Sequence, residues 1–294
     1  MIDVLPRPRG LFIMDLDGTL LDHDGGLCDR NHRALKSAAE SGIALAIVTG
    51  RRRSTFRRER ERLAGLAFRS SVSNGAVFLS VDNETVERVH AIDWRGVLDA
   101  WAAFPRGVIK SCIAVTLPPA PAPDQLEQPD ALILTPEGRF YHAASPWEPE
   151  RQQVSEAFAI SEDMALSRKL VHVAFHVTEP EVAERLVEVA RSFCGEDTSI
   201  YATPPPRAAG ALVDVVPRGG KGLAVSDLAQ AFGVPAEAIA AIGDEMNDLP
   251  LLQAARFQYA IGGSTLAKRF PGAVEVASSG GVADALERFS AEIG

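Results

Sequence analysis

The sequence contains few cysteines and no long apolar run. Its 294 residues include three cysteines, Cys28, Cys112 and Cys194, none with CxxC spacing, so neither a disulfide framework nor a zinc site is expected. No apolar stretch approaches the roughly 20 residues that span a bilayer. The first residues also lack the charged and then apolar order of a signal peptide. These features predict a cytoplasmic protein with no membrane partner.

Positive charge is outweighed by negative charge. The chain has 30 Lys and Arg residues against 39 Asp and Glu residues, a formal net charge of -9, which argues against nucleic acid as a partner. The stretch from Arg51 to Arg62 is rich in arginine but has no aromatic residue except Phe56, and it is interpreted as a solvated helix face. The composition, with 46% hydrophobic residues, predicts a globular protein. The chain length of 294 residues is sufficient for two domains.

The sequence does have an apolar strand that ends abruptly in carboxylates. Leu11 to Met14 precedes Asp15-Leu16-Asp17-Gly18, and the apolar run is typical of a strand buried on both faces. Ligands bind at the carboxyl ends of the strands of an open parallel sheet, so Asp15 and Asp17 would lie at the mouth of a site. An ordinary turn is the simpler alternative. A calcium loop would require Glu at its twelfth position, where the chain has Gly26.

A second predicted strand also ends in polar residues, at the same edge of the sheet. A helix with Asp29 as its N-cap leads to the apolar run 43–48 and then to Thr49-Gly50-Arg51. This strand-helix-strand unit favours parallel pairing, which brings Thr49 to the edge that carries Asp15. Thr49 is also compatible with a plain helix N-cap, and Arg51 is the arginine placed best to contact a substrate.

The C-terminal part repeats the pattern. Lys221 stands in the first turn of a predicted helix, where a cation opposes the helix dipole unless an anion lies beside it. The apolar run 238–242 then ends in the segment from Gly243 to Asp248, which contributes Asp244, Asn247 and Asp248. One cation is therefore expected among several carboxylates.

The middle of the chain has a different pattern. Its strands and helices come in pairs and not in strict alternation, so residues 83–212 are predicted to form an inserted α+β domain, with residues 1–82 and 213–294 forming the core. A helix is predicted near Glu150 to Ile160. In the alternating strand 169–178, His172 and His176 share the minority face, where exposed histidines are commoner than ligands.

The motifs resemble those of a known family. Four segments resemble the four motifs of the haloacid dehalogenase superfamily: Leu11 to Leu21, Val48 to Arg51, Lys221-Gly222 and Gly243 to Asp248. The position of the insert, and the segment Ser73-Asn74-Gly75-Ala76, are similar to the Cof-type sugar-phosphate phosphatases with a type IIB cap. This resemblance implies an α/β fold with a doubly wound, mostly parallel, Rossmann-like core sheet and an inserted α+β cap domain.

The resemblance also implies a role for each site residue. Asp15 would be the nucleophile and Asp17 the general acid and base. Mg²⁺ would be held by the side chains of Asp15 and Asp244 and the backbone carbonyl of Asp17. The transferring phosphoryl group would be bound by Leu16, Thr49, Gly50, Lys221 and Asn247, and Asp248 and Arg51 would support these groups from outside.

The implied function is a Mg²⁺-dependent phosphatase that hydrolyses a small phosphorylated metabolite, a sugar phosphate, through an aspartyl-phosphate. Two alternatives stay open: a phosphomutase on sugar phosphates, and a phosphate-ligand sensor without catalysis. The pair Asp15 and Asp17 argues against a dehalogenase, which needs no acid at the second position. Cap residues such as His172, His176, Arg207 or those near Trp147 are candidates for choosing the substrate.

Overall fold

The chain is described by a computed structural model over residues 7–22, 25–60, 63, 65–83, 85–105, 107–117, 130–135, 138–142, 159–203 and 210–294. Two compact units can be distinguished. The first unit comprises Met1–Arg51, Thr55–Arg88 and Gly219–Gly294, and the second comprises Arg52–Ser54 and Val89–Arg218. Each unit is built around its own sheet.

The first unit contains an eight-stranded sheet. Its order is β15-β14-β13-β1-β2-β3-β4-β5, and all pairs from β15 to β3 are parallel. The three central strands are buried along their whole length, as their uninterrupted apolar sequence requires. The strands are β1 (Gly10–Met14), β2 (Ile43–Val48), β3 (Arg69–Val72), β4 (Val77–Leu79), β5 (Val86–Val89), β13 (Ile239–Gly243), β14 (Phe257–Ile261) and β15 (Val274–Val276).

Helices cover both faces of this sheet. Leu11 and Ile13 of β1 pack in one cluster with residues of α6 and α7, whereas Phe12, between them, contacts Phe289 of α9 on the other face. The prediction of a doubly wound, mostly parallel core with an inserted α+β domain is confirmed. The helices are α1 (Asp29–Glu40), α2 (Arg53–Arg60), α3 (Trp94–Ala103), α4 (Glu162–Leu166), α5 (Pro180–Cys194), α6 (Leu223–Phe232), α7 (Leu249–Gln253), α8 (Thr265–Arg269) and α9 (Gly281–Glu292).

The second unit contains a seven-stranded sheet of order β11-β12-β10-β6-β7-β8-β9. All neighbouring strands in this order pair antiparallel, and α3 and α5 pack against the apolar face of the sheet. The strands are β6 (Ile109–Leu117), β7 (Ala131–Leu134), β8 (Phe140–His142), β9 (Ala159–Ile160), β10 (Lys169–Val177), β11 (Thr198–Thr203) and β12 (Ala211–Pro217).

The predicted domain boundaries differ from those of the structure. The second unit runs from Val89 to Arg218, whereas the sequence placed the insert at 83–212. The predicted boundary after residue 212 falls inside β12, which pairs with β10 and β11 in the second sheet. Strand pairing across the sheet therefore moves β12 out of the core, and no local pattern in the sequence reveals that pairing.

Several local predictions also need correction. The N-cap of α1 is Cys28, whose Sγ accepts from the N–H of Asn31, so Asp29 is the first helical residue. His172 and His176 are buried and not exposed, because β10 is covered on both faces from Leu170 onward. Ala159 and Ile160, at the end of the predicted helix, lie in a strand; residues 150–158 lie outside the described residues, as do Trp147 and Arg207.

Every helix among the described residues falls short of the length and apolar content that crossing a bilayer demands.

Candidate active site

The carboxyl end of β1 delivers the first two predicted residues. Asp15 follows the last strand residue and is only 4% exposed. Gly18 adopts a φ of +83°, a conformation that favours glycine, and a Cβ atom there would collide with the carboxylate of Asp244. The next residue, Thr19, donates its hydroxyl to Asp244 Oδ1 at 2.8 Å. The turn after β1 therefore packs directly onto the segment after β13.

Thr49 lies at the carboxyl end of the neighbouring strand β2 and is buried. Its Oγ1 accepts from the N–H of Arg51 at 3.1 Å, and its own O–H is left as a donor. Its carbonyl oxygen accepts from the N–H of Asn74 at 3.0 Å. Thr49 is thus not the N-cap of α2, which begins at Arg53; its side chain closes the turn before that helix, and its binding of an anion stays a prediction.

Lys221 brings a buried cation to the same edge. It lies in the short turn between β12 and α6 and is 2% exposed. Its Nζ donates to Asp15 Oδ1 at 2.6 Å and to Asp248 Oδ1 at 2.5 Å. Burial opposes the charged form of Lys221, but the two neighbouring carboxylates outweigh this effect and raise the pKa of the ammonium. Lys221 is therefore held in its charged form.

The segment after β13 supplies further acidic groups. Asp248 Oδ2 accepts from the backbone N–H groups of Asp244 and Glu245, at 3.0 and 3.1 Å. Its other oxygen binds Lys221, so each of its oxygens already has a donor. Asn247 donates to Asn74 Oδ1 at 3.4 Å, which links this segment to the loop after β3.

Three carboxylates share the site with Lys221. Oxygens of Asp15, Asp244 and Asp248 all lie within 4.8 Å of one another. Burial raises the pKa of Asp15 well above its ordinary value, against the opposing effect of Lys221, and burial likewise raises the pKa of Asp244 to about 7. Three carboxylates and one ammonium leave an excess of two negative charges when all are ionised. A divalent cation would neutralise this excess, and carboxylate oxygens are ligands that Mg²⁺ and Ca²⁺ prefer.

Asp17 lies apart from this buried group. Its side chain is 50% exposed, and both of its oxygens accept from Arg51, Oδ2 from Nε at 2.7 Å and Oδ1 from Nη2 at 2.6 Å. The hydrogen bond to Asp17, opposed by partial burial, raises the pKa of Arg51. Arg51 also donates from Nη1 to Glu59 Oε1 at 2.9 Å.

The sequence analysis assigned no role to Thr19, Glu59 or Asn74, although Thr19 and Asn74 lie in segments that it noted. Asn74 has a φ of 55°, a region in which asparagine is enriched. The following residue, Gly75, has a φ of +87°, and a Cβ atom there would lie 2.5 Å from the carbonyl oxygen of Gly220. The Asn-Gly pair is the one local signal in the sequence that marks this close approach between two loops.

Comparison with known proteins identifies relatives of the chain. A sequence model of haloacid dehalogenase-like hydrolases matches residues 12–104 and 127–286. No curated protein sequence matches significantly.

Solved structures resemble the chain over nearly its whole length. The phosphatase BT1666 from Bacteroides thetaiotaomicron, of the haloalkanoate (HAD) enzyme superfamily, has a TM-score of 0.69 and 21% identity over 99% of both chains. A haloacid dehalogenase-like hydrolase from B. subtilis has a TM-score of 0.69 and 20% identity over 95% of this chain and 99% of its own. The HAD subclass IIB sugar phosphatase BT4131 has a TM-score of 0.68 and 20% identity over 96% and 99%. At these identities the likeness establishes the fold.

Proposed function

Because the chain belongs to the haloacid dehalogenase-like hydrolase family, we propose that it is a Mg²⁺-dependent phosphatase acting on a small phosphorylated metabolite. The strongest support is Lys221, whose ammonium bonds both Asp15 and Asp248 at the carboxyl edge of the sheet. A buried, preorganised cation at this edge can neutralise the charge of a transferring phosphoryl group. BT4131, a sugar phosphatase of similar fold, favours a sugar phosphate as the substrate.

Asp15 is the proposed nucleophile. Lys221 binds its Oδ1, and none of the described residues hydrogen-bonds the other oxygen of this carboxylate. Attack of a carboxylate oxygen on phosphorus forms an aspartyl-phosphate while the bond between phosphorus and the leaving oxygen breaks. Holding one oxygen orients the carboxylate plane, which favours in-line attack by the other.

Asp17 is the proposed general acid and base. In the first step its carboxyl group gives a proton to the leaving alcohol oxygen. In the second step its carboxylate takes a proton from the water that attacks the aspartyl-phosphate, which releases inorganic phosphate and regenerates Asp15. The half-exposed position of Asp17 suits a group that must reach both a leaving group and a water molecule.

The phosphoryl oxygens are proposed to bind donors from three loops. The hydroxyl of Thr49, the backbone N–H groups of Leu16 and Gly50, the ammonium of Lys221 and the amide of Asn247 supply these donors. Such fixed donors stabilise a developing charge without reorganising at the moment of reaction.

The side chains of Asp15 and Asp244, with the backbone carbonyl of Asp17, would hold Mg²⁺. When bound, Mg²⁺ supplies positive charge that offsets the charge of the phosphoryl group. The buried oxygen cluster and its excess of negative charge support this assignment. Asp248 already accepts from Lys221 and from two backbone N–H groups, so we assign it to orienting Lys221.

The proposal is tested by phosphate release from sugar phosphates, phosphoglycerates, nucleotides and p-nitrophenyl phosphate, with Mg²⁺ and with EDTA. Asp15→Asn should lower kcat by roughly 10³-fold or more, because it removes the nucleophile. Asp29→Asn, at an exposed aspartate, is the matched control and should keep the wild-type rate.

The remaining outcomes separate the alternatives. Turnover that depends on added sugar bisphosphate would identify a phosphomutase. Absence of release from every compound, by folded wild-type protein in Mg²⁺, would contradict the phosphatase and favour a sensor that binds phosphate without hydrolysis. An Asp15→Asn variant with near wild-type rate would remove Asp15 from the role of nucleophile.

A further inference from the structure

Arg51 donates hydrogen bonds to both carboxylate oxygens of Asp17. The two bonds, 2.7 Å from Nε and 2.6 Å from Nη2, form the fork geometry in which a guanidinium fixes the plane of a carboxylate. This occurs at a side chain that is 50% exposed and that would otherwise rotate freely in solvent. The other proposed catalytic carboxylate, Asp15, is buried and fixed by Lys221.

Arg51 is itself held at three further points. Its Nη1 binds Glu59 Oε1 of α2 at 2.9 Å. Its backbone N–H donates to Thr49 Oγ1 at 3.1 Å, and its carbonyl oxygen accepts from the N–H of Ser73 at 2.7 Å. With both its backbone and one side of its guanidinium fixed, Arg51 presents Nε and Nη2 to Asp17 in a defined orientation.

Stability alone does not account for this arrangement. An ion pair between partly exposed groups contributes between nothing and about 1 kcal/mol, and Asp17 has half of its side-chain surface in water. A proton donor, by contrast, must lie within hydrogen-bond reach of the atom it protonates. The fork leaves each Asp17 oxygen with a second lone pair, so a proton can still be carried there.

We propose that Arg51 is a positioning residue, which holds the carboxyl group of Asp17 in the orientation required for proton transfer to the leaving group, and that Glu59 holds Arg51 in turn. This inference rests on the proposed function, since it assigns Arg51 a role in the same reaction. It differs from a substrate contact: Arg51 acts through Asp17 and not on the phosphoryl group.

The role makes the effect of Arg51 depend on the leaving group. A basic alkoxide, as in glycerol 2-phosphate, leaves only if it is protonated, whereas p-nitrophenolate is a stable anion and leaves with little help. Loss of positioning at Asp17 should therefore slow the alkyl ester far more than the aryl ester. Loss of a phosphate contact would slow both alike, because the two esters carry the same phosphoryl group.

The experiment measures kcat and KM for both esters in wild type, Arg51→Gln and Arg51→Lys, with Mg²⁺ present. Both variants should lose about 30-fold or more in kcat on glycerol 2-phosphate and about threefold or less on p-nitrophenyl phosphate, with KM little changed. Lysine should fail to rescue, because it keeps the charge but has no planar fork. Arg57→Lys, at an exposed arginine of α2, is the control and should match wild type.

Two more variants test whether Glu59 holds Arg51 and whether Arg51 acts through Asp17. Glu59→Gln should show the same preference for the aryl ester with a smaller loss. In the background of Asp17→Asn, Arg51→Lys should add little further loss on the alkyl ester, since a residue that acts through Asp17 has nothing left to position.

The contrary results are distinct from one another. Equal losses on both esters, or a large rise in KM, would mean that Arg51 binds the phosphoryl group and would overturn the inference alone. Wild-type rates on both esters in Arg51→Gln would also overturn it. Wild-type protein that releases phosphate from neither ester would instead overturn the proposed function, and the inference with it.

Discussion

The two units bury charged and polar groups in different ways. In the second unit, Asp214 accepts from Thr203 Oγ1 at 2.6 Å through one oxygen and lies 2.6 Å from His172 Nε2 through the other, so each oxygen of the carboxylate has a partner within the sheet. In the first unit, Asp15 and Asp248 share a single ammonium, that of Lys221, and a third carboxylate lies beside them.

Burial alone therefore does not distinguish a functional cluster from a structural one. A buried polar group with partners on the same sheet is a normal part of a stable core. Several buried carboxylates with fewer cations than charges cost stability, and such clusters are typical of sites that bind a ligand or an ion. The relevant difference is that each oxygen of Asp214 has its own partner in the second sheet, whereas Asp15 and Asp248 share one ammonium and have a third carboxylate beside them.

We call Asp15, Lys221, Asp244 and Asp248 the first cluster. Among the changes that test this comparison, the largest effect is expected from removing Lys221, the one cation among the described groups of that cluster. Lys221→Met should lower kcat by about 10²- to 10³-fold and also lower the unfolding temperature, because three carboxylates are then buried without a positive partner. Phosphate release and thermal unfolding are measured in parallel, with Lys36→Met, at an exposed lysine, as the control. A variant that kept its full activity would remove Lys221 from the phosphoryl site.

A smaller effect is expected from pH in the metal-free protein. The pKa of Asp244 is raised by burial to about 7, above the value of roughly 4 in an unfolded chain. Between these values the folded state holds a proton that the unfolded state has lost, so the free energy of unfolding should fall as pH rises, by roughly 1 kcal/mol per pH unit. Urea unfolding in EDTA from pH 4 to pH 7 measures this slope, and saturating Mg²⁺ should reduce it. An identical slope with and without Mg²⁺ would contradict a cation site at these carboxylates.

The smallest effect is expected in the second unit. Asp214→Asn keeps the shape of the side chain but replaces one acceptor oxygen with an N–H₂ donor. This donor then faces either Thr203 or His172, and the lost hydrogen bond should lower the free energy of unfolding by about 1–3 kcal/mol. Hydrolysis of p-nitrophenyl phosphate should stay within about threefold of wild type, because this pair balances its own polar groups. Urea unfolding and aryl phosphatase rates are compared with those of Asp163→Asn, at an exposed aspartate. A large loss of activity without loss of stability would show that the group formed by His172, Thr203 and Asp214 is also functional.

Much of the first cluster could be predicted because its signals are local. The apolar runs of β1, β2 and β13 indicate parallel strands, and parallel strands end at one edge, so Asp15, Asp244 and Asp248 were expected together. The family resemblance inferred from the same segments is confirmed by the match over residues 12–104 and 127–286.

The remaining features depend on contacts that no sequence pattern marks. Glu59, near the end of α2, binds Arg51 just before that helix. Thr19 binds Asp244, which is far away in the sequence, across the sheet edge. His172 and His176 were expected to be exposed because alternation describes only one face of a strand, whereas β10 is covered on both. The pairing of β12 with β10 shifted the domain boundary for a similar reason: it joins segments far apart in sequence.

The glycine after Asn74 has a consequence for how this sequence can change over time. Many losses of a polar contact can be repaired by a second substitution nearby, so the residues around a site can drift together. A methyl group at Gly75 would meet the backbone of Gly220, at 2.5 Å from its carbonyl oxygen, and no exchange of side chain at position 220 removes a backbone atom. The route of the chain past Lys221 is thus inherited as a fixed spacing, and we expect Gly75 to persist in descendants of this sequence long after its neighbours have diverged.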